Sequence, residues 1–404
     1  MLHYSRRQFL RASLGASAGL VGIGPLLSGL GCTYRSRLPV SRPDRRVLAD
    51  LHVHAMTNAW NRTTPLAVKY PALVRLVERF ANKTGMDWED CHAAGIDLIC
   101  VAHFNVFDEW LSMPTDPNPE APVNTLRMMD QLEEELNGPT RPYARLAVNR
   151  SELGELLKIP KSSPEYRIAV IHTLEGGHAL GGDIASLEQF ARRGVAMICL
   201  THFFNKGIAS AANAYPYFPD DNSRRTHQGL SGLGREVVTE MERLGIIVDV
   251  THATATAVED ILKAAKRPLV ASHCTAQTLS DHPYSLLDEH IQQIAHDGGV
   301  VGVIVDPYLL SNYATVHDSE RGGGLRDVVR MVRYIVKLCG NHRQVAIGSD
   351  FAGYIVAPSD MDRLSQIDRL SSMLMDEFGS RSVVEDIMAN NVIDFIQTNW
   401  RAGG

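Results

Sequence analysis

Histidines stand where short apolar segments of this chain end. The segment 47–50 leads into His52 and His54, and residues two apart on a strand project to the same side, so both imidazoles could bind one metal ion. Taken alone, a His-x-His pair is weak evidence, because an isolated histidine is more often a hydrogen-bonded core or surface residue than a ligand. The metal hypothesis therefore depends on which residues stand at the ends of the other apolar segments.

Most of the later apolar segments also end in a polar residue that could bind a metal or move a proton. If each were a core residue with its own hydrogen-bond partner, polar groups would have to be buried repeatedly at one end of the fold. Polar groups that converge at the C-terminal ends of barrel strands are instead typical of a catalytic face. In chain order these residues are Glu175 with His178, His202 with Asn205 nearby, His252, His273 and Asp350.

The elements that must position these side chains alternate between strand and helix patterns. Eight short runs rich in Val, Ile, Leu and Ala are predicted strands, and apolar residues at helical spacing fill the intervals. Eight such strands fit a closed barrel better than an open sheet, so the predicted fold class is α/β, a single TIM-like (β/α)₈ barrel over residues 47–404. The predicted strands are 47–50, 96–102, 168–174, 196–200, 246–250, 269–272, 299–304 and 345–348, and the clearest helices are 186–193, 234–244, 254–265 and 325–338.

Two long segments, 105–125 and 211–228, follow predicted strands and are predicted to be loops. Both contain prolines, which disfavour a continuous helix. Loops that follow barrel strands lie on the face where active sites form, so we expect both segments to border the site.

The five strongest ligand candidates are His52, His54, Glu175, His252 and His273. Imidazoles with a carboxylate suit borderline metals such as zinc, with iron, manganese and cobalt as alternatives. One catalytic zinc ion needs three protein ligands and a water molecule, so five ligands imply two divalent ions that share Glu175. The shared site would hold a hydroxide, since two cations lower the pKa of bound water enough to supply a nucleophile near neutral pH.

Two further residues have the right chemistry for catalysis. Asp350 is predicted to accept the proton of the attacking water and to pass it to the leaving nitrogen. His202 is predicted to donate a hydrogen bond to the substrate carbonyl oxygen, where negative charge develops.

Other polar residues near the strand ends have supporting or alternative roles. His178 is predicted to orient Glu175 or to close the glycine turn between them, and Asn205 and Asp249 are predicted to support ligands from behind. His103 follows the second predicted strand and is an open alternative as a ligand. Cys274 is predicted to be a packing residue, because no base other than the proposed ligands is evident beside it.

Composition excludes some classes of function. With a formal net charge of −6 and 45% hydrophobic residues, the chain is an ordinary globular protein without a basic face for nucleic acid. Its six cysteines are scattered, unlike those of a zinc ribbon or a disulfide scaffold. The expected partner is a small-molecule substrate, and a homodimer is compatible with the composition.

The N-terminal region is predicted to be an export signal. Residues 5–11 read SRRQFLR and precede a mildly apolar run, 12–31, which resembles a twin-arginine signal. The alternative is a membrane-anchoring helix, but the glycines and Pro25 in this run make a poor spanning helix. We therefore expect 1–32 to engage the twin-arginine export machinery, Cys32 to be a candidate for lipid attachment, and 33–46 to be a tether. The mature protein is then periplasmic or bound to the cell envelope.

Taken together, the motifs resemble those of the membrane (renal) dipeptidase family of amidohydrolase-type metallopeptidases. The resemblance extends over residues 47–400, and its motifs are highly specific as a set. They are LEGGH at 174–178, LTH at 200–202 with Asn205, GLS at 229–231, DVTH at 249–252, SHCTA at 272–276, IGSDF at 347–351 and IMANNV at 387–392.

The resemblance implies a role for each matching residue. Glu175 corresponds to the ligand shared by both metals, and His252 and His273 to ligands of the second metal. His202 corresponds to a contact for the substrate carbonyl, and Asp350 to the proton acceptor.

The chain departs from the family pattern in its first strand. The family has His-x-Asp there, whereas this chain has His52 and His54. A neutral imidazole in place of a carboxylate removes one negative charge from the first metal site, which would weaken or retune that site.

A second departure concerns the substrate. The family binds the free carboxylate of a dipeptide with an arginine eleven residues after the equivalent of His273, where this chain has Tyr284. Tyrosine offers one neutral hydrogen bond where arginine offers a charged fork. Arg224 or Arg225 on the second long loop could replace that arginine, and Tyr308 could help to orient the substrate.

These observations predict a metal-dependent hydrolase that cleaves the C–N bond of a dipeptide or a dipeptide-like amide. An alternative within the same class is a hydrolase of another amide, a lactam or an ester in a secreted small molecule, which the tyrosine at position 284 favours. A third hypothesis is a non-catalytic binding or maturation protein of the cell envelope built on the same barrel.

Overall fold

In a computed structural model of the chain, parallel strands form a barrel with helices around it. The structure describes residues 47–72, 74–75, 84–110, 117–212, 229–312 and 315–402. The strands are β1 (Ala49–Val53), β2 (Leu98–His103), β3 (Ala144–Leu146), β4 (Ile168–Glu175), β5 (Val195–Cys199), β6 (Ile247–Asp249), β7 (Val270–Cys274), β8 (Val300–Val303) and β9 (Val345–Ile347).

Eight of these strands follow one another around the barrel. Their order is β1-β2-β4-β5-β6-β7-β8-β9, and every pairing is parallel. The first and last strands meet beyond the end of β9, where the amide of His54 donates to the carbonyl oxygen of Phe351 at 2.8 Å and the amide of Asp350 donates to that of His52 at 2.9 Å. The predicted (β/α)₈ fold class is confirmed.

The strands read as continuous apolar runs because both of their faces are covered. All residues of β1, β2, β4, β5 and β7 are buried. In a parallel barrel one face of each strand packs against the surrounding helices and the other packs inside the barrel, so no polar alternation is needed. The polar residues of the strands cluster where the strands end, which places them at one rim.

Strand β3 was not predicted. It pairs in parallel with β4 outside the barrel order, from Ala144 beside Ile168 to Leu146 beside Val170. Its three residues include an exposed Arg145, so neither length nor apolar pattern indicates a strand. Pairing with a neighbouring strand decided its conformation, which local propensity does not report.

Four strands, β1, β2, β4 and β7, end further along the chain than predicted, and the changes in β1 and β4 illustrate the cause. Strand β1 continues to Val53, so His52 lies within it and His54 immediately follows it. Strand β4 includes Glu175 as its last residue. In both strands, pairing with a neighbour extends the strand beyond its apolar run.

The helices cover the barrel and begin at recognisable caps. The side chain of Ser231 caps one helix by accepting from the amide of Gly234, and that of Thr254 caps the next by accepting from the amide of Ala257. The helices are α1 (Thr57–Thr63), α2 (Pro65–Lys69), α3 (Trp88–Ala94), α4 (Val106–Trp110), α5 (Ala121–Asn137), α6 (Arg150–Leu157), α7 (Ser186–Arg192), α8 (Gly232–Leu244), α9 (Ala255–Ala264), α10 (Asp288–His296), α11 (Pro307–Leu310), α12 (Val316–Gly322), α13 (Leu325–Cys339), α14 (Asp368–Phe378), α15 (Arg381–Glu385) and α16 (Asn391–Asn399), with short 3₁₀ or π turns at Gly177–Leu180, Leu364–Gln366 and Asp386–Asn390.

The first long loop is partly helical, which corrects the prediction. Helix α4 lies within 105–125, and α5 already begins at Ala121. Asp108 in α4 is buried and accepts hydrogen bonds from Asn105 and from Asn124 of α5. These bonds hold a short helix in a segment whose prolines argue against a long one.

Several predictions lie outside the described residues. They concern the twin-arginine motif, Cys32, the tether 33–46, and Arg224 and Arg225 on the second long loop. Within the part of the chain that the structure describes, no helix has both the length and the apolar character needed to cross a bilayer.

Candidate metal centre

The end of β1 holds two histidines side by side. His52 and His54 are both buried, and their Nε2 atoms are 3.2 Å apart. The Oδ1 atom of Asp50 accepts from the amides of His52 and Ser349, which ties this strand end to the chain that follows β9. Nδ1 of His54 lies 3.1 Å from the hydroxyl of Thr57, so a hydrogen bond fixes the ring and leaves Nε2 to face the barrel axis.

Glu175 ends β4, and the chain then turns sharply. Gly176 has a φ of +94°, and a Cβ at this position would lie 2.4 Å from Nδ1 of His178. Glycine is therefore required here on both conformational and steric grounds. The turn leaves the buried carboxylate of Glu175 at the centre of the rim.

A second pair of histidines comes from the far side of the barrel. The Nε2 atoms of His252 and His273 are 3.1 Å apart. His252 adopts a left-handed backbone with a φ of +62°, which is uncommon for a residue other than glycine and is often found at functional sites. The Ser272 hydroxyl lies 2.9 Å from Nδ1 of His273, and it also lies 3.4 Å from Nδ1 of His52.

All four imidazoles converge on Glu175. Their Nε2 atoms lie 3.2–3.3 Å from a carboxylate oxygen of that residue, with His52, His252 and His273 at Oε1 and His54 at Oε2. Two groups of three residues could each hold an ion, and both contain Glu175. They are His52, His54 and Glu175, and Glu175, His252 and His273.

The spacing of these donor atoms fits metal binding. Ligands at 2.0–2.1 Å from one tetrahedral zinc ion are about 3.3–3.4 Å apart, close to the separations seen here. Oε2 of Glu175 is buried and accepts no hydrogen bond of good geometry from the described residues, although Nε2 of His54 lies 3.2 Å away. Imidazole nitrogens with a carboxylate are the donor set of borderline divalent metals. The residues therefore fit a pair of cations that share Glu175.

Electrostatics favour a negative charge at the centre. Burial acts to raise the pKa of Glu175, but the charges of His202, His52 and His54 outweigh it and hold that pKa well below its usual range. Burial, followed by repulsion from His202, lowers the pKa of His252 to about 3. The carboxylate and neutral imidazole that result are the forms that bind metals.

His54 behaves differently from His252. Burial acts to lower its pKa, but the nearby carboxylates of Glu175 and Asp350 outweigh burial and raise that pKa to about 10. Binding of a cation at His54 would therefore displace a proton.

Asp350 stands at the edge of this cluster. Its Oδ1 is 3.1 Å from Nε2 of His54 and 3.9 Å from Nε2 of His52. Its backbone is left-handed, with a φ of +62°. His52, His273 and Asp350 form a further group that could hold an ion. The carboxylate is thus within reach both of the ligands and of the cleft outside them.

His202 approaches Glu175 from the loop that follows β5. Its Nε2 is 3.6 Å from Oε2 of Glu175, and its Nδ1 is 2.9 Å from Oε2 of Glu109. Burial acts to lower the pKa of His202, but Glu175 and Glu109 outweigh it and raise that pKa. The ring packs on Phe104, with centroids 4.2 Å apart.

Glu109 is a member of the site that the sequence does not reveal. It lies in α4, where no motif or strand end marks it, and its side chain is fully buried. The usable signal is weak: two acidic residues, Asp108 and Glu109, in an apolar context on a loop that follows a barrel strand.

The residues predicted to have supporting roles lie close to the centre. His178 is buried in the 3₁₀ turn after Glu175, and burial lowers its pKa to about 4. Oδ1 of Asp249 accepts from the amides of Thr251 and Ser272, which steadies the strands that carry the second histidine pair.

Asn205 is half-buried, and its side chain accepts from the amide of Gly207 at 2.9 Å, which shapes the loop after β5. Cys274 is buried, as a packing residue would be.

His103, the alternative ligand, lies in a different hydrogen-bond network. Its Nε2 is 2.9 Å from Nδ1 of His172, whose Nε2 is 3.3 Å from the carboxylate of Glu133 on α5. Among the described residues, His103 is in none of the groups that could share an ion.

The cleft beside the cluster has mostly aromatic and aliphatic walls. Tyr284 contributes its ring, but its hydroxyl donates to the main-chain carbonyl of His273. Tyr308 does not line this cleft, and its ring lies 5.5 Å from that of His282. The described lining consists of His54, His202, Phe203, His252, Tyr284, Ile304, Leu309, Asp350 and Tyr354.

Comparison with known proteins identifies relatives along much of the chain. The family described as membrane dipeptidase, peptidase family M19, matches residues 153–399. An uncharacterized dipeptidase of Schizosaccharomyces pombe is 30% identical over 230 residues, 57% of this chain and 53% of that protein. Dipeptidase aclJ of Aspergillus oryzae is 27% identical over 227 residues, 56% of this chain and 50% of that protein. The chain thus spans about half the length of the curated relatives it matches.

Solved structures share the fold. A dipeptidase described as a metallopeptidase of family M19 has a TM-score of 0.71 at 18% identity, covering 89% of this chain and all of that one. A metallopeptidase of Rhodobacter sphaeroides, liganded with a phosphinate mimic of the dipeptide L-Ala-D-Ala, has a TM-score of 0.70 at 18% identity, covering 87% and 99%. The probable dipeptidase PvdM of Pseudomonas aeruginosa has a TM-score of 0.65 at 20% identity, covering 78% and 88%.

The matched segment includes most of the residues at the centre. It contains Glu175, His202, His252, His273 and Asp350, whereas the first histidine pair lies before it. Because the match extends over more than half of the sequence, the chain belongs to the membrane dipeptidase family, peptidase family M19.

Proposed function

We propose that this protein is a metal-dependent hydrolase that cleaves the C–N bond of a dipeptide or a dipeptide-like amide. The observation that carries the proposal is the convergence of four imidazole Nε2 atoms within 3.2–3.3 Å of the Glu175 carboxylate. Family membership supports the reaction class. The names of the relatives support the substrate class, since several are dipeptidases and one was solved with a dipeptide mimic.

The metal-binding roles follow from the two groups of donors. His52 and His54 with Glu175 would hold one cation, and His252 and His273 with Glu175 the other. We propose zinc for both positions, because the donors are imidazole and carboxylate. When bound, the pair supplies a water molecule of lowered pKa and polarises the substrate carbonyl.

The protein's own groups then handle the proton and the developing charge. Water adds to the carbonyl carbon, the C–N bond breaks, and the leaving nitrogen must gain a proton. Asp350, beside His54 and open to the cleft, accepts the water's proton and passes it to that nitrogen. His202 donates from Nε2 to the carbonyl oxygen as it becomes negative.

Metal content together with peptide hydrolysis tests this proposal. Protein purified from its native host should carry about two zinc-class ions per chain, lose activity on dipeptides when they are chelated, and regain it on reloading. Absence of metal from such protein would overturn the proposal. Full biological activity of an Asp350→Asn variant would instead favour a non-catalytic envelope binding or maturation protein.

A second candidate is hydrolysis of another amide, a lactam or an ester. The hydroxyl of Tyr284 is engaged by the carbonyl of His273, and among the described lining residues the non-histidine ionisable groups are Asp350 and two tyrosines. This part of the cleft lacks the charged fork that would best bind a free carboxylate. A panel of free dipeptides, N-acyl amino acids and lactones separates the candidates, since preference for the uncharged substrates would favour the second.

We also propose export by the twin-arginine route to the periplasm or cell envelope. The SRRQFLR motif and the glycine-rich run after it support this. A variant with Arg6 and Arg7 both changed to Lys should remain in the cytoplasm, and Arg11→Lys is the matched control. Unchanged export of the double variant would contradict the proposal. Loss of membrane association in Cys32→Ala would indicate a lipid anchor.

A further inference from the structure

We propose that Glu109 is a positioning residue that holds the imidazole of His202 so that its Nε2 faces the reacting carbonyl. This inference rests on the proposed function, because His202 acts there as the donor to the carbonyl oxygen. It assigns a role to a residue from a loop between β2 and α5 that carries no recognisable motif.

The first support is the geometry of the carboxylate. Its Oε2 lies 2.9 Å from Nδ1 of His202, while its Oε1 accepts from the amides of Phe203 at 2.8 Å and Phe204 at 3.1 Å. Glu109 is fully buried and His202 nearly so. One carboxylate thus binds both the ring of His202 and the main chain that follows it. Hydrogen bonds to an ionised group in a dry environment are the strong ones, so the ring has little freedom to turn.

The second support is how firmly the carboxylate itself is held. Glu109 lies in the short helix α4, and its neighbour Asp108 accepts hydrogen bonds from three asparagines, Asn105, Asn118 and Asn124. Asn105 precedes α4 and Asn124 lies in α5, so these bonds join both sides of the loop. The loop therefore presents Glu109 from a braced position.

The orientation decides which nitrogen of His202 faces the cleft. With Nδ1 directed to Glu109, Nε2 is the nitrogen directed to Glu175, at 3.6 Å from its Oε2, and His202 lines the cleft. Phe104 packs on the ring and limits movement on that side. A ring released from Glu109 could rotate and withdraw Nε2 from the carbonyl, so rate would be lost without loss of metal.

Glu109→Gln is the most informative variant, because it preserves the shape of the side chain. The amide oxygen that it introduces should stay with the amides of Phe203 and Phe204, which directs the amide nitrogen toward Nδ1 of His202. The Nδ1–H of His202 then has no acceptor, so the charge-assisted hydrogen bond is lost, and the bond that can replace it is the weaker one that a neutral ring accepts at Nδ1 from the amide. If this variant fails to fold, Glu109→Asp replaces it, since it keeps the charge but withdraws the carboxylate from the ring.

A double-mutant cycle with His202→Ala measures whether Glu109 acts through His202. We expect His202→Ala to lower kcat by about 10²–10³-fold, as for loss of an oxyanion donor. Glu109→Gln should lower kcat roughly tenfold with little change in KM, the low end for a group that orients a functional imidazole. In the His202→Ala background it should lower kcat no further. Glu134→Gln is the control, since that carboxylate is exposed on α5 and any loss it causes should be equal in both backgrounds.

A spectroscopic readout decides the pairing without reference to activity. In protein labelled with ¹⁵N at histidine, the hydrogen-bonded Nδ1–H of His202 should give a downfield proton resonance in the wild type and in Glu134→Gln. It should be absent in His202→Ala and in Glu109→Gln, with metal content unchanged in Glu109→Gln. Survival of the resonance in Glu109→Gln would overturn the inference, as would an equal loss of kcat from Glu109→Gln in both backgrounds. A wild-type enzyme that cleaves no peptide would contradict the proposed function, and the resonance would still decide whether Glu109 holds His202.

Discussion

The hydroxyl of Tyr284 donates a hydrogen bond to the main-chain carbonyl of His273, and its ring lies 5.0 Å from that of His252. This tyrosine stands where the resemblance would place a carboxylate-binding arginine. Its single donor is already in use, so it supports the backbone of a proposed metal ligand.

Removal of that hydroxyl should therefore affect stability more than substrate binding. We expect Tyr284→Phe to lower the free energy of unfolding by about 1–3 kcal/mol, because a buried carbonyl loses its partner. KM for dipeptides should change less than twofold. Urea unfolding and steady-state kinetics check this, with Tyr308→Phe, outside the cleft, as the control. A raised KM at unchanged stability would instead show that the hydroxyl binds substrate.

Loss of the Glu175 carboxylate should remove metal from both sites, because both groups of donors share it. We expect the zinc content to fall from about two ions per chain in the wild type to one or none in Glu175→Gln. Activity should fall by at least the same proportion. Elemental analysis after dialysis gives the ion count. Glu133→Gln, a carboxylate outside the cluster, should retain the full count, and retention of both ions by Glu175→Gln would contradict a shared ligand.

The first metal position should bind more tightly when His54 is replaced by aspartate. A carboxylate adds a unit negative charge within a few ångströms of a divalent cation, and even about 1.4 kcal/mol of added attraction gives roughly tenfold tighter binding. Of its two zinc ions, His54→Asp should bind the weaker one at least about tenfold more tightly than the wild type does. Competition with a chelator measures this affinity. His103→Asp would not be a suitable control, because it would also remove the hydrogen bond between the imidazoles of His103 and His172. Equal affinity in wild type and His54→Asp would show that Asp350 already compensates the missing charge.

The bond between His172 and Glu133 should make stability depend on pH in the acid range. That hydrogen bond first, and then the one from Arg193, outweigh partial burial and lower the pKa of Glu133 from 4.5 to about 2. A carboxylate with a lowered pKa in the folded state stabilises the fold above its unfolded pKa, and this contribution is lost as pH falls from 4.5 toward 2. We expect the free energy of unfolding of Glu133→Gln to be about 0.5–1 kcal/mol lower than that of the wild type at pH 7, a small difference because Glu133 is partly exposed. This difference should vanish at the acid end of that pH range.

Unfolding by urea at several pH values measures this difference. The exposed neighbour Glu134 supplies the control, since Glu134→Gln should leave stability nearly unchanged at each pH. A difference between Glu133→Gln and wild type that is independent of pH would contradict the assigned cause.

The sequence alone predicted the barrel and the residues at its rim. Buried parallel strands need apolar residues on both faces, so eight of them appear as continuous runs, and the polar residues that follow mark their C-terminal ends. That local pattern is sufficient to predict that His52, Glu175, His252, His273 and Asp350 meet.

Tertiary structure alone decided the remaining features, because their partners are distant in sequence. Strand β3 is extended because β4 offers it a partner. Glu109 reaches His202 across 93 positions, and no local pattern records that contact. The hydroxyl of Tyr284 binds a backbone carbonyl, which carries no side-chain signature in the sequence. Local patterns report the conformations that a segment favours, whereas hydrogen bonds between distant segments depend on how the barrel closes.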